Sequence, residues 1–177
     1  MTNPYLSIWF RTSRTINSVL LGKVRFNYHI PILLSCLSLF FDQFTDPIGI
    51  GTVYSLLLIF IGIILGYLFI TQLWPWLILQ VGKIWNGKSE KPELLLIIGL
   101  GQIPVVVILM EQILFSAFGK VISDFEVNIA LQWIVWVFYM RTMVIGLSKT
   151  QGFGYGIALL NLVLAIMPFF ILKLLIS

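Results

Sequence analysis

The chain has 177 residues, 59% of them apolar and only 10% charged, with 11 Lys and Arg against 7 Asp and Glu. Soluble domains usually carry about 25% charged residues, so a water-facing fold of this size could not cover its core, whereas a lipid-facing exterior removes that demand. The net charge of +4 is spread over short loops and one N-terminal segment, which excludes the concentrated basic face that nucleic acid requires.

The first element opens at Asn3-Pro4. Asn is a good N-cap, and Pro is favoured at the first helical position because its missing N–H would be unpaired there anyway. At about 100° per residue, Tyr5, Leu6, Ile8, Trp9, Ile16, Val19 and Leu20 fall on one half of a helical wheel. Ser7, Arg11, Arg14 and Ser18 fall on the other. Two arginines prevent this segment from spanning a bilayer. The pattern predicts an amphipathic interfacial helix over 3–23, its apolar face in the acyl region and its arginines toward anionic headgroups. Packing of that same face against the bundle is the other use for it. The first 20 residues hold no uninterrupted apolar core, so no cleavable signal peptide is expected. The first true span is expected to serve as the insertion signal.

Five spans are predicted within 26–175. The first, 28–41, is short for a bilayer needing about 20 residues, so Phe26 and Phe44 are expected to complete its ends. Asp42, Asp46, Pro47 and Gly49 then make a turn. The second begins near Ile50 and runs to about Leu73, where Trp74-Pro75-Trp76 interrupts it. Pro75 removes a helix hydrogen bond, and flanking tryptophans suit the headgroup boundary. A helical extension then carries Lys83 and Trp85 out of the membrane. In the loop that follows, Asn86-Gly87 supplies positive φ and Pro92 ends what precedes it. The third span starts near Glu93 and contains Gly99, Gly101, Gln102, Pro104, Glu111 and Gln112. The loop 120–128 leads to a fourth span over 129–147 that contains Arg141. A glycine-rich turn over 149–156 leads to a fifth over 157–175, with Asn161 and Pro168 inside it. The fold class predicted is an all-α integral membrane protein, a single domain in which a bundle of five transmembrane helices follows an N-terminal amphipathic helix.

Basic residues set orientation. Arg11, Arg14, Lys23, Arg25, Lys83, Lys88, Lys91, Arg141 and Lys149 fall on one side, nine in all, against Lys120 and Lys173 on the other. The second side also carries Asp42, Asp46, Asp124 and Glu126. A cytoplasmic N-terminus follows, and an odd number of spans places Ser177 outside.

Three stretches resemble one family. Residues 3–9, NPYLSIW, with Arg11 and Arg14 after them, are similar to the opening of bacterial members of the Yip family of Ypt/Rab-GTPase-interacting membrane proteins. Residues 85–104 resemble that family's Gly-Gly-Lys-Gly loop, here Asn86-Gly87-Lys88-Ser89, and its Ile-Pro, here Ile103-Pro104. Residues 146–162, GLSKTQGFGYGIALLNL, resemble its turn into the last helix. The resemblance implies a five-helix bundle in the bacterial cytoplasmic membrane with a cytoplasmic N-terminus. It implies little chemistry, and an association of some bacterial members with ABC-type exporters. Asn86, where the family more often has glycine, and Pro75 depart from the pattern. The acidic N-terminal region of eukaryotic members is missing, so a Rab-binding role is not carried over.

No catalytic constellation is visible. His29 is the only histidine and Cys36 the only cysteine, too few for a triad or a metal ligand set. Gly99-Leu100-Gly101 lies in an apolar span without the lysine a phosphate loop needs. No enzyme activity, cofactor or metal is therefore expected. Two groups of candidate residues remain. Arg11, Arg14, Asn86, Gly87, Lys88, Lys91, Lys149 and Gln151 would form a cytoplasmic interaction surface, for anionic lipid headgroups, for a membrane protein such as an ABC-type exporter, or for a second copy of the chain. Gln102, Pro104, Glu111, Arg141 and Asn161 would line a polar intramembrane cavity. Glu111 lies about 27 Å along its span and Arg141 about 10 Å from the inner end of its own, which argues against a direct pair and for interfacial positions. The first group predicts a non-catalytic membrane scaffold or interaction protein. The second predicts a small permease or channel, and whether its polar residues share one cavity decides between the two.

Overall fold

The computed structural model describes residues 3–45, 52–118 and 125–176, with side chains described over 3–39, 56–114, 129–168 and at 171. The turn expected at 46–49 and most of the loop expected at 120–128 lie outside the described residues. Every regular element among those described is helical.

The N-terminal segment is two helices in place of the one expected: α1 (Pro4–Phe10) and α2 (Thr12–Leu20). Asn3 caps α1 as expected, its Oδ1 accepting the Tyr5 N–H at 2.9 Å. The break falls at Arg11, at φ −130° and ψ 45°. There the Thr12 hydroxyl donates to the Ile8 carbonyl at 2.7 Å, a side-chain bond to the i−4 carbonyl that competes with the helix ladder. The two helices are tied again by Thr15 Oγ1, which donates to Ser7 Oγ at 2.8 Å. Gly22, at φ 68°, ends α2. Its N–H bonds the Val19 carbonyl and that of Lys23 bonds the Ser18 carbonyl, the paired pattern of a Schellman cap.

Most of the apolar half of this segment takes the second use expected for it, packing on the bundle. Ile8, Ile16 and Val19 are buried in the protein core, and Tyr5, Trp9 and Leu20 pack on it. The break at Arg11 lets each short helix lay its apolar side on the bundle. Leu6 and Phe10 face outward, Phe10 with 86% of its surface exposed.

The remaining elements are α3 (His29–Thr45), α4 (Thr52–Leu68), a π-helical turn (Phe69–Leu73), α5 (Trp74–Lys83), α6 (Lys91–Phe118), α7 (Phe125–Gln151) and α8 (Tyr155–Ile176). The interruption expected at Pro75 takes the form of that π-helical turn immediately before it. Pro75 has no N–H for the Thr71 carbonyl, so the ladder widens over the preceding residues. Thr71 Oγ1 donates to the Tyr67 carbonyl at 2.8 Å within the same stretch. Of the two tryptophans expected at a headgroup boundary, Trp76 is exposed, whereas Trp74 is buried and hydrogen-bonded to Tyr139.

Helix α6 is the axis of the fold. α3 and α7 pack along it, and α1, α2 and α5 also touch it. Its run Leu94–Pro104 is buried almost without interruption. Gly99 allows the closest approach: a Cβ there would lie 2.5 Å from the Cβ of Tyr28 and 2.8 Å from its Cα. Small residues let helical backbones meet this closely. α4 packs against α3 and the π-helical turn, and α8 against α5 and α7.

Among the described residues, three helical stretches are long and apolar enough to cross a membrane: Leu56–Lys83, Lys91–Leu114 and Ile129–Gln151. His29–Leu39 and Tyr155–Pro168 are shorter apolar stretches. The chain is an all-helical protein of membrane type.

Candidate functional site

Three segments far apart in sequence meet at one end of the bundle: the α1–α2 pair, the loop 84–90, and the turn between α7 and α8. Lys149, in the last turn of α7, donates from Nζ to the carbonyl and hydroxyl of Ser13 and to Asn17 Oδ1, each at 2.7 Å. The Trp9 and Phe138 rings meet edge-on, with centroids 4.9 Å apart. Trp85 of the loop meets Phe153 of the turn at 6.3 Å. The basic segments that charge counting placed on one side therefore share one end of the structure.

Asn86 has φ 57°, the left-handed conformation that asparagine and glycine tolerate best, as the Asn-Gly pair predicts. Gly87 has a different role. A Cβ on it would lie 2.0 Å from Gln151 Oε1, and one on Gly82 would lie 2.2 Å from the same atom. The two glycines make the space that the Gln151 side chain fills. Gln151, expected on the interaction surface, is only 3% exposed, and its Nε2 finds no partner among the described residues. It anchors the loop from beneath. Lys88 and Lys91 are exposed, and Lys91 Nζ donates to Gln72 Oε1.

Beside the Lys149 contacts with Ser13 and Asn17 lies an open recess of about 570 Å³, lined by Phe10, Arg11, Thr12, Ser13, Arg14, Asn17 and Arg141. Arg11 sits in the break between α1 and α2. Arg14 is one turn on, and Arg141 comes across from α7. All three are exposed, and none has an ion-pair partner among the described residues. The first turn of α2 also points here without a side-chain cap, so its backbone amides add partial positive charge. Three guanidiniums, a helix N-terminus and hydroxyls around one hollow suit a multivalent oxyanion such as phosphate, which arginine binds in bidentate fashion. Arg141 is accounted for here. It lines the recess and not the deeper hollow.

A second hollow of about 360 Å³ lies deeper, between α3, α6 and α7. Its polar lining is Ser35, Ser38, Gln102, Gln112, Gln132 and Tyr139. Of the five residues expected in one polar cavity, only Gln102 lines it. Pro104 is buried in α6 beside it. Glu111 lies nine residues beyond Gln102, which at about 100° per residue turns it to the opposite side of α6. Its Oε1 is buried with no partner among the described residues. Asn161 is fully buried on α8, with neither amide atom paired among the described residues. α8 packs on α5 and α7, away from this hollow. The residues passed over had a readable spacing: Ser35 and Ser38 are three apart, and Gln132, Trp136 and Tyr139 follow at i, i+4 and i+7, each set on one helix face.

Among the described residues no three of His, Cys, Asp and Glu come together to hold a metal ion. Compared with protein-family models, with curated proteins and with solved structures, the chain matches none.

Proposed function

We propose that this chain is a non-catalytic membrane scaffold that acts through its basic end, where the recess between the α1–α2 break and Arg141 holds the headgroup of an anionic lipid. The observation that carries this reading is the convergence of Arg11, Arg14 and Arg141, from two elements some 130 residues apart, on one recess. Charges that only set topology have no need to converge. The outward Leu6 and Phe10 beside the recess suit the acyl boundary that a headgroup at this depth would occupy.

In this reading the basic end is cytoplasmic, five helices cross the membrane and Ser177 is outside. The nine-to-two division of basic residues supports that orientation. The resemblance of residues 3–9, 85–104 and 146–162 to Yip-family stretches supports a scaffold over an enzyme, and the exposed Lys88 and Lys91 leave a place for a membrane partner such as an exporter. The scattering of Gln102, Glu111, Arg141 and Asn161 over separate sites speaks for the scaffold and against the permease.

The test is lipid retention. Protein purified in mild detergent should carry phosphatidylglycerol or cardiolipin, visible by native mass spectrometry. Arg11→Gln, Arg14→Gln and Arg141→Gln should each weaken retention by about 1 kcal/mol, and together should abolish it. Equal retention by the triple variant would sink the proposal.

A further inference from the structure

The hollow between α3, α6 and α7 is a different kind of place. α3 and α7 both pack along α6 and barely touch one another, so the gap between them is a lateral crevice with α6 as its floor. The lining is largely apolar, with Val105, Ile108 and Val135 among its residues, and polar groups are set into it at Ser35, Ser38, Gln102, Gln112, Gln132 and Tyr139. Ser35 and Ser38 are buried; Ser35 Oγ donates to the Pro31 carbonyl at 2.8 Å, and Ser38 Oγ to Gln112 Oε1 at 3.0 Å. The rim is apolar and open: Leu39 and Trp136 line the hollow and are both well exposed. Among the described residues, no carboxylate, ammonium or guanidinium lines it.

Gln102 decides what would fit. It is 8% exposed and lines the hollow. Its backbone carbonyl accepts from Ser35 Oγ at 3.4 Å. Its side-chain amide has no hydrogen-bond partner among the described residues. The amide is reached from the hollow and not sealed in, and left without a partner inside a membrane it is costly. It is turned into a space at the small end of the range of ligand pockets. An amide presents a donor and an acceptor side by side, the complement of a hydroxyl or of another amide. The π-helical turn contributes Ile70 to the same lining, and such turns occur often at functional sites.

We infer that this crevice is a binding site for an uncharged lipid with a hydroxyl-bearing head, such as a monoacylglycerol. The head pairs with the Gln102 amide at the floor. The chain leaves between α3 and α7 over Leu39 and Trp136. Amides and hydroxyls set in an apolar lining, with no charged group among the described residues, favour a neutral head over a phosphate, and a rim opening sideways favours a tethered ligand over a free solute. The site is separate from the basic recess, and either reading stands without the other.

The probes are monoolein, free glycerol and phosphatidylglycerol, offered to the intact protein in detergent and read by native mass spectrometry. Monoolein should bind the wild type. Gln102→Leu, which keeps the bulk and removes the amide, should bind it about tenfold more weakly, the worth of one well-made hydrogen bond. Should Gln102→Leu fail to fold, Val105→Phe, which fills the hollow from its floor, replaces it with the same expectation. Phosphatidylglycerol retention should be unchanged in both variants, while the arginine variants should lose it and keep monoolein. Undiminished monoolein binding in Gln102→Leu and Val105→Phe, or none in the wild type, overturns the site. Glycerol binding without monoolein binding overturns its assignment to a lipid.

Discussion

The ammonium of Lys149 is bound to Ser13 twice, to its carbonyl and to its hydroxyl, both at 2.7 Å. With Asn17 Oδ1 as third acceptor, all three N–H donors of the lysine are used. A residue that reads as a surface cation is thus the clamp holding α2 to α7. Lys149→Met keeps the stem and removes the three bonds. In this partly exposed setting the clamp should contribute about 1 kcal/mol. Hydrogen exchange over 12–20 should quicken in the variant while exchange over 94–104 stays as it was. Unchanged protection of α2 would show that its apolar face alone holds it.

Gly99→Ala should be the most damaging of the glycine-to-alanine changes in α6. The new methyl meets backbone at Tyr28, 2.8 Å from Cα, and backbone cannot swing aside as a side chain does. Overpacking of this kind costs about 1–3 kcal/mol. Gly101→Ala meets only the flexible Met143 side chain, with its sulfur at 3.1 Å, and should cost less. Melting in detergent should rank Gly99→Ala below Gly101→Ala, and both below Gly156→Ala, where nothing lies within 4 Å. The reverse order would contradict the close approach of the Tyr28 backbone, just before α3, to α6.

Gln151 supports an unusual expectation for a buried polar residue. Its Nε2 has no partner among the described residues, so that end of the amide is held by shape. Gln151→Met should be neutral to within about 1 kcal/mol, because the unpaired Nε2 gives up no bond. Gln151→Glu would bury a charge between two glycines and should destabilise by several kcal/mol or protonate. Thermal denaturation of the two variants separates the cases.

Much of the helix layout was legible because it follows from apolar run lengths and from Pro and Gly. Asn3-Pro4 began α1, and the polar stretch 85–92 separated α5 from α6. Charge counting brought the three basic segments to one end. The break at Arg11 was not legible, because it depends on Thr12 and Thr15 finding partners across the bend. Nor was the burial of Gln151, which exists only because Gly82 and Gly87, some 65 residues away, vacate its space. The grouping of polar residues failed on rotational phase. Gln102 and Glu111 look like neighbours in one span, but they point to opposite sides of α6.

Reversing Lys88 and Lys91 to Glu separates topology from binding. Seven basic residues remain on that side, so reporter fusions at Ser89 and Ser177 should still fall on opposite sides of the membrane. Co-purifying protein should fall if the exposed loop grips a partner. Both reporters on the same side, in the wild type, would refute an odd number of crossings.

The docking of α2 on α6 and α7 has a consequence for biogenesis. Residues 4–20 are made well before the surface that receives them, which is completed only when residues 138–149 have been translated. Until then Ile8, Ile16 and Val19 have no protein to pack on, and the half-made chain must shelter them at the bilayer surface or in a chaperone. Nascent chains arrested before Phe138 should leave the N-terminal pair open to protease, and chains arrested after the α7–α8 turn should protect it.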